Sequence, residues 1–201
     1  MSILLRPSTP ADAADIARLI LLSAEHFLPA VFGPRIEAGI ARLAAREGTL
    51  FSWTHVVIAA AEGRTAGMLL GYSGRDKAHE DPATGIGLLR AFGGVIILRL
   101  GKLLIVQRMI GTIAAGEWYV SNVAVLPEMR GRGTGRALML DAEQRARNSG
   151  AVSIVLDVET DHLPAIRLYQ GLGYETVSTT PALLLDGRSV VFHRMGKTCR
   201  P

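Results

Sequence analysis

The segment Asn122-Val123-Ala124-Val125-Leu126-Pro127-Glu128-Met129-Arg130-Gly131-Arg132-Gly133-Thr134-Gly135-Arg136 runs from an apolar strand, through a glycine- and arginine-rich turn, into a helix. The strand ends at Pro127 and the helix opens near Gly133. Glycines at 131, 133 and 135 let the backbone approach a ligand with no Cβ in the way. Successive amide N–H groups at a helix N-terminus form an anion site, which the helix dipole strengthens. Arg130, Arg132 and Arg136 add positive charge, so the run from Arg130 through Gly131, Arg132, Gly133, Thr134 and Gly135 to Arg136 is the place for a pyrophosphate. A P-loop is excluded, because it needs Gly-Lys-Ser/Thr and no lysine is present here. A dinucleotide fingerprint needs a third glycine or alanine where Arg136 or Leu138 stands. RNA-binding arginine-glycine segments are repetitive and disordered, unlike this single copy between a strand and a helix. On these residues alone, a plain strand-to-helix turn without a ligand stays open.

Around that segment the chain alternates short strands and helices, which gives an α/β class with a mixed sheet. Ile3 to Arg6 reads as a strand. Thr9-Pro10-Ala11-Asp12 then opens a capped helix whose inward stripe is Ile16, Leu19, Ile20 and Ser23. A second helix covers Pro34 to Arg46. Val56 to Ala61 and Thr65 to Tyr72 form a hairpin turning at Glu62-Gly63-Arg64. Tyr119 to Leu126 is a strand, and Gly133 to Ser149 is a helix closed by Gly150. Ser153 to Glu159 is a strand with Ile154, Leu156 and Val158 on one face. Pro164 to Leu172 is a short helix ending at Gly173. Tyr174 to Thr179 and Val190 to Arg194 read as a last hairpin around Asp186-Gly187.

The composition narrows the class further. The chain has 201 residues, 49% hydrophobic and 20% charged, enough for one well-filled core and unlike a disordered chain. Cys199 is the single cysteine, so a disulfide framework and a cysteine-rich zinc site are excluded. The unpaired thiol suits a reducing compartment and a cytoplasmic protein. The histidines His26, His55, His79 and His193 show no metal-ligand spacing, so no metal is expected. The net charge of +4 comes mostly from arginine, Lys77, Lys102 and Lys197 being the only lysines. It suits an anionic ligand and argues little for nucleic acid, since no aromatic-basic stacking pattern accompanies it. The most apolar stretch, Gly93 to Ala115, is interrupted by Arg99, Lys102, Gln107 and Arg108, so no membrane span is expected.

Arg130-x-x-Gly133-x-Gly135 resembles the acyl-CoA loop of the GNAT acetyltransferases, Gln/Arg-x-x-Gly-x-Gly/Ala. Val123-Ala124-Val125-x-Pro127 before it is similar to that family. So are Asp157-Val158-Glu159-x-Asp161 and Ala165-Ile166-Arg167-Leu168-Tyr169-x-x-Leu172-Gly173-Tyr174 after it. The three motifs keep the family's order and cover Tyr119 to Tyr174. The resemblance implies a splayed mixed sheet, with acetyl-CoA as co-substrate and an amine as acceptor. It implies that the pantetheine arm pairs with the backbone of Val123, Ala124 and Val125, in the manner of an added strand. The whole chain, 1–201, then reads as one acetyltransferase domain, with 117–175 as the acetyl-CoA-binding core and 75–116 as a helical insertion.

Acyl transfer to an amine needs a neutral nitrogen, a donor to the oxyanion and a proton for the departing thiolate. The resemblance makes Tyr169 that proton donor, and a phenol is protonated at neutral pH. The bland alternative is that its ring only packs under the cofactor. Many family members carry a glutamate near Ser121 or Asn122, and this chain has no acid at either position. Glu117 lies on the same strand but far back. Asp157 and Glu159 share one face of the neighbouring parallel strand, and Glu159 reaches the amine directly or through water. A solvated strand-end charge, or capture of an already neutral amine, explains Glu159 equally well. His162 stands where the family has a cofactor-contacting asparagine, and histidine can keep that hydrogen bond. A non-catalytic module that senses acyl-CoA or binds a partner is the alternative function.

The insertion has a helical stripe, Leu103, Val106, Ile110 and Ile113, with Arg108, Gly111 and Thr112 opposite and Gly101 separating it from an earlier helix. The stripe is buried against the chain's own sheet, against a second subunit in a homodimer, or against an apolar substrate. The insertion leaves and rejoins the sheet beside the cofactor strand, so it is expected to shape the acceptor pocket. The acceptor itself is not written in the sequence. A polyamine, an amino acid, an antibiotic and a protein N-terminus all remain open.

Overall fold

The computed structural model describes residues 3–33, 36–94, 101 and 112–199. Its strands are β1 (Ile3–Pro7), β2 (Val56–Ala61), β3 (Arg64–Ser73), β4 (Glu117–Val125), β5 (Ser153–Glu159), β6 (Glu175–Thr179), β7 (Leu183–Leu185), β8 (Arg188–Val190) and β9 (Phe192–Thr198). Its helices are α1 (Ala13–Ser23), α2 (Phe27–Phe32), α3 (Ile36–Ala44), α4 (Gly74–Phe92), α5 (Thr134–Asn148) and α6 (Leu163–Gln170). Seven strands form one sheet in the order β1-β2-β3-β4-β5-β9-β6, and β7 and β8 form a separate hairpin. Every neighbouring pair in the large sheet is antiparallel except the central one, β4 with β5.

That central pair does not run its full length. Pairing extends from Glu117 opposite Ser153 to Val120 opposite Leu156 and stops there. Beyond it β4 stays on β3 as far as Val125 opposite Gly67, and β5 stays on β9 as far as Glu159 opposite Phe192. The sheet therefore forks after Val120 and Leu156. A local cause is visible in the β3–β4 register, where Leu70 faces Asn122 and Gly71 faces Val120. Ser121 is left as an extra residue, and such a bulge bends and twists the strand that carries it. It also resets the alternation. Trp118 and Val120 face one side, and after the bulge Val123 and Val125 return to that same side.

Helices cover both faces, so the inner strands read as nearly continuous apolar runs. On one face α1, α2 and α3 pack on Val56, Ile58, Met68, Leu70 and Ala124. On the other, α5 and α6 pack on Val57, Leu69, Val120, Leu156, Val158 and Met195. Local signals fix the element ends. Thr9 and Asp12 form a capping box, and Arg6 clamps the same carboxylate at 2.6 and 2.9 Å. That ion pair holds Asp12 down to about 2, below the usual carboxylate range. Glu62 and Gly63, both at positive φ, turn β2 into β3.

The insertion begins directly at the end of β3, where Ser73 and Asp76 box the start of α4. This helix lies on α3, where the Phe92 ring covers Gly39; the same ring is 5.7 Å from that of Phe32 in α2, and the Thr84 hydroxyl accepts from the Leu50 amide at 2.9 Å. Ile113, near the insertion's return, packs against Leu50, Tyr72, Tyr119 and Val155. The rest of the expected stripe, Leu103, Val106 and Ile110, lies outside the described residues, as do Arg108 and Gly111.

Two elements differ from the sequence reading. Asp186 and Gly187 do make a turn at positive φ, but it closes the short β7–β8 hairpin. The strands expected to meet there, β6 and β9, pair with each other across that hairpin. Phe27–Phe32 forms a helix that the sequence did not signal, because Pro29 sits inside it and four of its six residues are buried. The second helix runs from Ile36 to Ala44, and positions 34 and 35 lie outside the described residues.

Candidate active site

The glycine-rich loop lies at the outer end of β4. A single 3-10 turn, Pro127–Met129, follows the strand, and α5 starts at Thr134. Gly131 and Gly133 have φ of 72° and 80°, and a Cβ at either would meet nothing within 4 Å. The left-handed backbone favours glycine there, and the space above it is open. The first helical bond runs from the Ala137 amide to the Gly133 carbonyl at 2.9 Å. The amides of Thr134, Gly135 and Arg136 precede it and have no acceptor within the helix. This is an anion cradle facing open space.

Not every residue of the motif faces that space. A Cβ on Gly135 would come within 3.2 Å of Leu168, so this glycine lets α5 lie close to α6. Thr134 is buried, and its hydroxyl reaches back to the Met129 carbonyl at 3.5 Å. The Arg130 Nε donates to the Val125 carbonyl at 3.2 Å, tying the loop to the strand end. Arg132 and Arg136 are exposed beside the amides.

Tyr169 comes from α6. It is buried on the same face of the sheet as Val120, Leu156 and Val158, with its ring 6.0 Å from that of Tyr174. Burial pushes its phenol up to about 12, so the hydroxyl carries its proton throughout the neutral range. His162 is the exposed residue preceding α6. Its carbonyl accepts from the Ala165 and Ile166 amides at 3.1 and 3.2 Å, and its ring is at the surface.

On the opposite face the fork is lined by polar groups. Asp157 receives the Arg194 guanidinium at 3.1 and 2.8 Å and the Tyr119 hydroxyl at 3.1 Å. Burial and the Asp157 charge raise the Tyr119 phenol well above its ordinary value. Glu159 and Asp161 share Arg188, at 3.2 and 2.7 Å. Glu117 accepts from the Ala114 amide at 2.8 Å, which pins the returning insertion to the start of β4. Across β4, the Ser121 hydroxyl donates to the Asn122 side-chain Oδ1 at 3.0 Å. The Asn122 Nδ2 donates in turn to the Ser23 hydroxyl at the end of α1, at 2.8 Å.

These bonds frame a cleft of about 520 Å³ lined by Glu25, His26, Phe27, Pro29, Ala30, Leu185, Asp186, Arg188 and Val190. One wall is the turn between α1 and α2, which Asn122 holds to β4. The other is the β7–β8 hairpin, which Arg188 holds to the end of β5. The cleft thus lies between the α1–α2 segment and the β7–β8 hairpin, on the face of the sheet that α1, α2 and α3 cover.

The structure thus puts Val123, Ala124 and Val125 on the arm of β4 beyond the fork, the 130–136 loop after the end of that strand, and Tyr169 in the core under α5 and α6. It places Glu159 at the end of β5 and His162 just before α6. Sequence reasoning missed Tyr119, Arg188 and Arg194, whose partners lie 27 to 38 residues away along the chain. No local signal marks such pairs. Among the described residues, no group of three or more His, Cys, Asp or Glu is arranged to hold a metal. No helix among them is long and apolar enough to cross a membrane.

Comparison with known proteins bears on the family and the fold. The profile of the Acetyltransferase (GNAT) family matches residues 35–174. A mycothiol acetyltransferase of Saccharomonospora viridis is 45% identical over 64 residues, 32% of this chain and 20% of that protein. The chain thus spans about a fifth of the length of the curated relatives it matches. An N-acetyltransferase from Staphylococcus aureus Mu50 superposes with a TM-score of 0.70 at 17% identity, over 96% of this chain and 100% of that one. YncA, a putative acetyltransferase from Salmonella typhimurium solved with its cofactor acetyl-CoA, gives 0.63 at 20% identity, over 100% and 96% of the two chains. At these identities the likeness to the solved structures is one of fold.

Proposed function

The chain belongs to the GNAT acetyltransferase family, and from that premise we propose that it transfers the acetyl group of acetyl-CoA to a primary amine by direct attack. The observation that carries the reading is the fork after Val120 and Leu156, together with an open amide cradle after β4 and a protonated Tyr169 buried on the face of the sheet that carries Val120 and Leu156. The open space over Gly131 and Gly133 fits a pyrophosphate on the amides from Gly131 to Arg136. The charges of Arg132 and Arg136 favour it, and Arg130 keeps the loop on the strand. The free edge of β4 at Val123, Ala124 and Val125 suits a pantetheine arm, and His162 lies within the same motif order.

Acetyl-CoA supplies the acetyl thioester and the thiol leaving group. The amine nitrogen bonds to the acyl carbon, and the carbon–sulfur bond breaks. Tyr169 gives its phenolic proton to the departing sulfur, and the nitrogen loses a proton to water. The products are an N-acetyl amide and a free thiol, and Tyr169 regains its proton from solvent. The two walls of the cleft beside Glu25 and Arg188 are hydrogen-bonded to β4 through Asn122 and to β5 through Glu159, which supports that cleft as the entry for the acceptor.

A second reading, a non-catalytic module that senses acyl-CoA, is favoured by one observation. Ser121 and Asn122 stand where a basic carboxylate would serve the amine. Thiol release from acetyl-CoA across a panel of primary amines separates the two. Amine-dependent release supports the transferase, and tight acetyl-CoA binding with no release under any amine supports the sensor.

A further inference from the structure

We propose that Tyr119, fastened to Asp157 across the inner end of the fork, is the stop that sets the length of the donor's acyl group, so that acetyl is accepted and longer acyl chains are refused. The inference rests on the acetyl-CoA reading above.

The order of groups along an acyl-CoA gives the direction. The amide cradle for the pyrophosphate follows the outer end of β4, after Val125. From there the pantetheine arm runs back along the free edge of β4, from Val125 toward Val123. The sulfur and then the acyl carbons come last, at the inner end of the fork. The free edge stops there, because β5 pairs with β4 from Val120 and Leu156 back to Glu117 and Ser153. An acyl chain therefore grows into a closed notch and not along an open groove.

Both faces of that notch are filled. On one side Val120 and Leu156 are buried in a single apolar cluster with Leu138, Met139 and Tyr169. On the other side stands Tyr119. Its backbone is opposite Val155, one step before the last pair. Its hydroxyl reaches past that pair to Asp157, the first residue of β5 beyond the pairing, and donates to it at 3.1 Å. The side chain thus crosses from β4 to β5 where the two strands part.

Tyr119 is also held from every side. Its ring lies 5.8 Å from that of Tyr72, and Leu50 and Val155 belong to the same buried cluster. Asp157 is gripped by Arg194, its neighbour on β9, at 3.1 and 2.8 Å. Arg194 donates in addition to the Thr112 carbonyl at 3.0 Å, so the returning insertion backs the group. A methylene added to the acetyl group meets this wall in one of two ways. It presses on a packed ring, or it lies against a buried carboxylate whose hydrogen bonds it would disturb. One methylene at a filled site changes recognition by about 10–200-fold.

The test is equilibrium binding of coenzyme A, acetyl-CoA and butyryl-CoA by calorimetry, which needs no acceptor. Butyryl-CoA should bind the wild-type chain at least about tenfold more weakly than acetyl-CoA. Tyr119→Leu shortens the stop and should shrink that ratio to about threefold or less. Tyr119→Phe keeps the ring among Leu50, Tyr72 and Val155 and should keep the wild-type ratio. Tyr119→Met, which retains more of the buried volume, is the second variant should Tyr119→Leu fail to fold, and it shifts the ratio in the same direction. Affinity for coenzyme A itself, which carries no acyl group, stays at the wild-type value in each folded variant. Equal affinities for acetyl- and butyryl-CoA in the wild type overturn the inference and leave the acetyltransferase reading standing. So does a ratio that neither Tyr119→Leu nor Tyr119→Met moves, or a loss of coenzyme A affinity as large as that of acetyl-CoA. Failure of the wild-type chain to bind either acetyl-CoA or coenzyme A removes the acetyltransferase reading and this inference together.

Discussion

Gly133→Ala and Gly48→Ala form a matched pair that tests the loop. Gly133 and Gly48 have φ of 80° and 76°, and a methyl at either meets nothing within 4 Å. The steric surroundings are therefore equal, and the cost of each substitution is the left-handed backbone itself, about 1–2 kcal/mol. For a chain of this size that lowers Tm by about 2–8 °C in both variants. Only Gly133 lies among the amides that precede α5. Gly48 sits exposed in the turn after α3. Acetyl-CoA affinity should therefore fall at least tenfold in Gly133→Ala, about 1.4 kcal/mol, and stay at the wild-type value in Gly48→Ala. Calorimetric titration at a temperature where both variants are folded by circular dichroism reads the difference. Wild-type affinity in Gly133→Ala would take the pyrophosphate off this loop. An equal loss in both variants would trace the effect to general destabilisation.

Tyr169→Phe keeps the ring and removes the proton. Its kcat should fall by roughly 10² with acetyl-CoA affinity unchanged, and an unaltered single-turnover rate would end its role as acid. Arg194→Ala leaves Asp157 buried without its cation and should cost about 3–5 kcal/mol in urea unfolding. A loss below about 1 kcal/mol would show the pair to be dispensable. Asp12 is depressed in the folded chain by Arg6, so its stabilisation is complete above about pH 4 and is lost as the pH falls toward 2. The Tm gap between wild type and Arg6→Met should therefore close over that window, and a gap that persists at pH 2 contradicts the pairing.

What the sequence makes legible is what short-range chemistry dictates. The Thr9–Asp12 box, the Glu62–Gly63 turn and the glycine after α5 each act within a few residues, and each appears in the fold. Alternation alone places Ile154, Leu156 and Val158 on one face of β5. The fork is different. It depends on the register of β4 against both neighbours, and Ser121 carries no mark of being the extra residue in a bulge. In the candidate site, the glycines and Tyr169 are visible through their motifs. Arg188 and Arg194 are not, because the topology alone brings them to β5. The pairing of β6 with β9 and the turn at Asp186-Gly187 are both legible, but strands of three residues, such as β7 and β8, are too short for alternation to register, so the small hairpin that the turn closes is not.

The most direct measurement is a structure of the chain with acetyl-CoA bound. The account predicts the pyrophosphate on the amides from Gly131 to Arg136. It also predicts the thioester in the fork beyond Val120 and Leu156, with its sulfur in hydrogen-bond reach of the Tyr169 hydroxyl. Acetyl-CoA held elsewhere, or bound with its sulfur turned away from Tyr169, would contradict it.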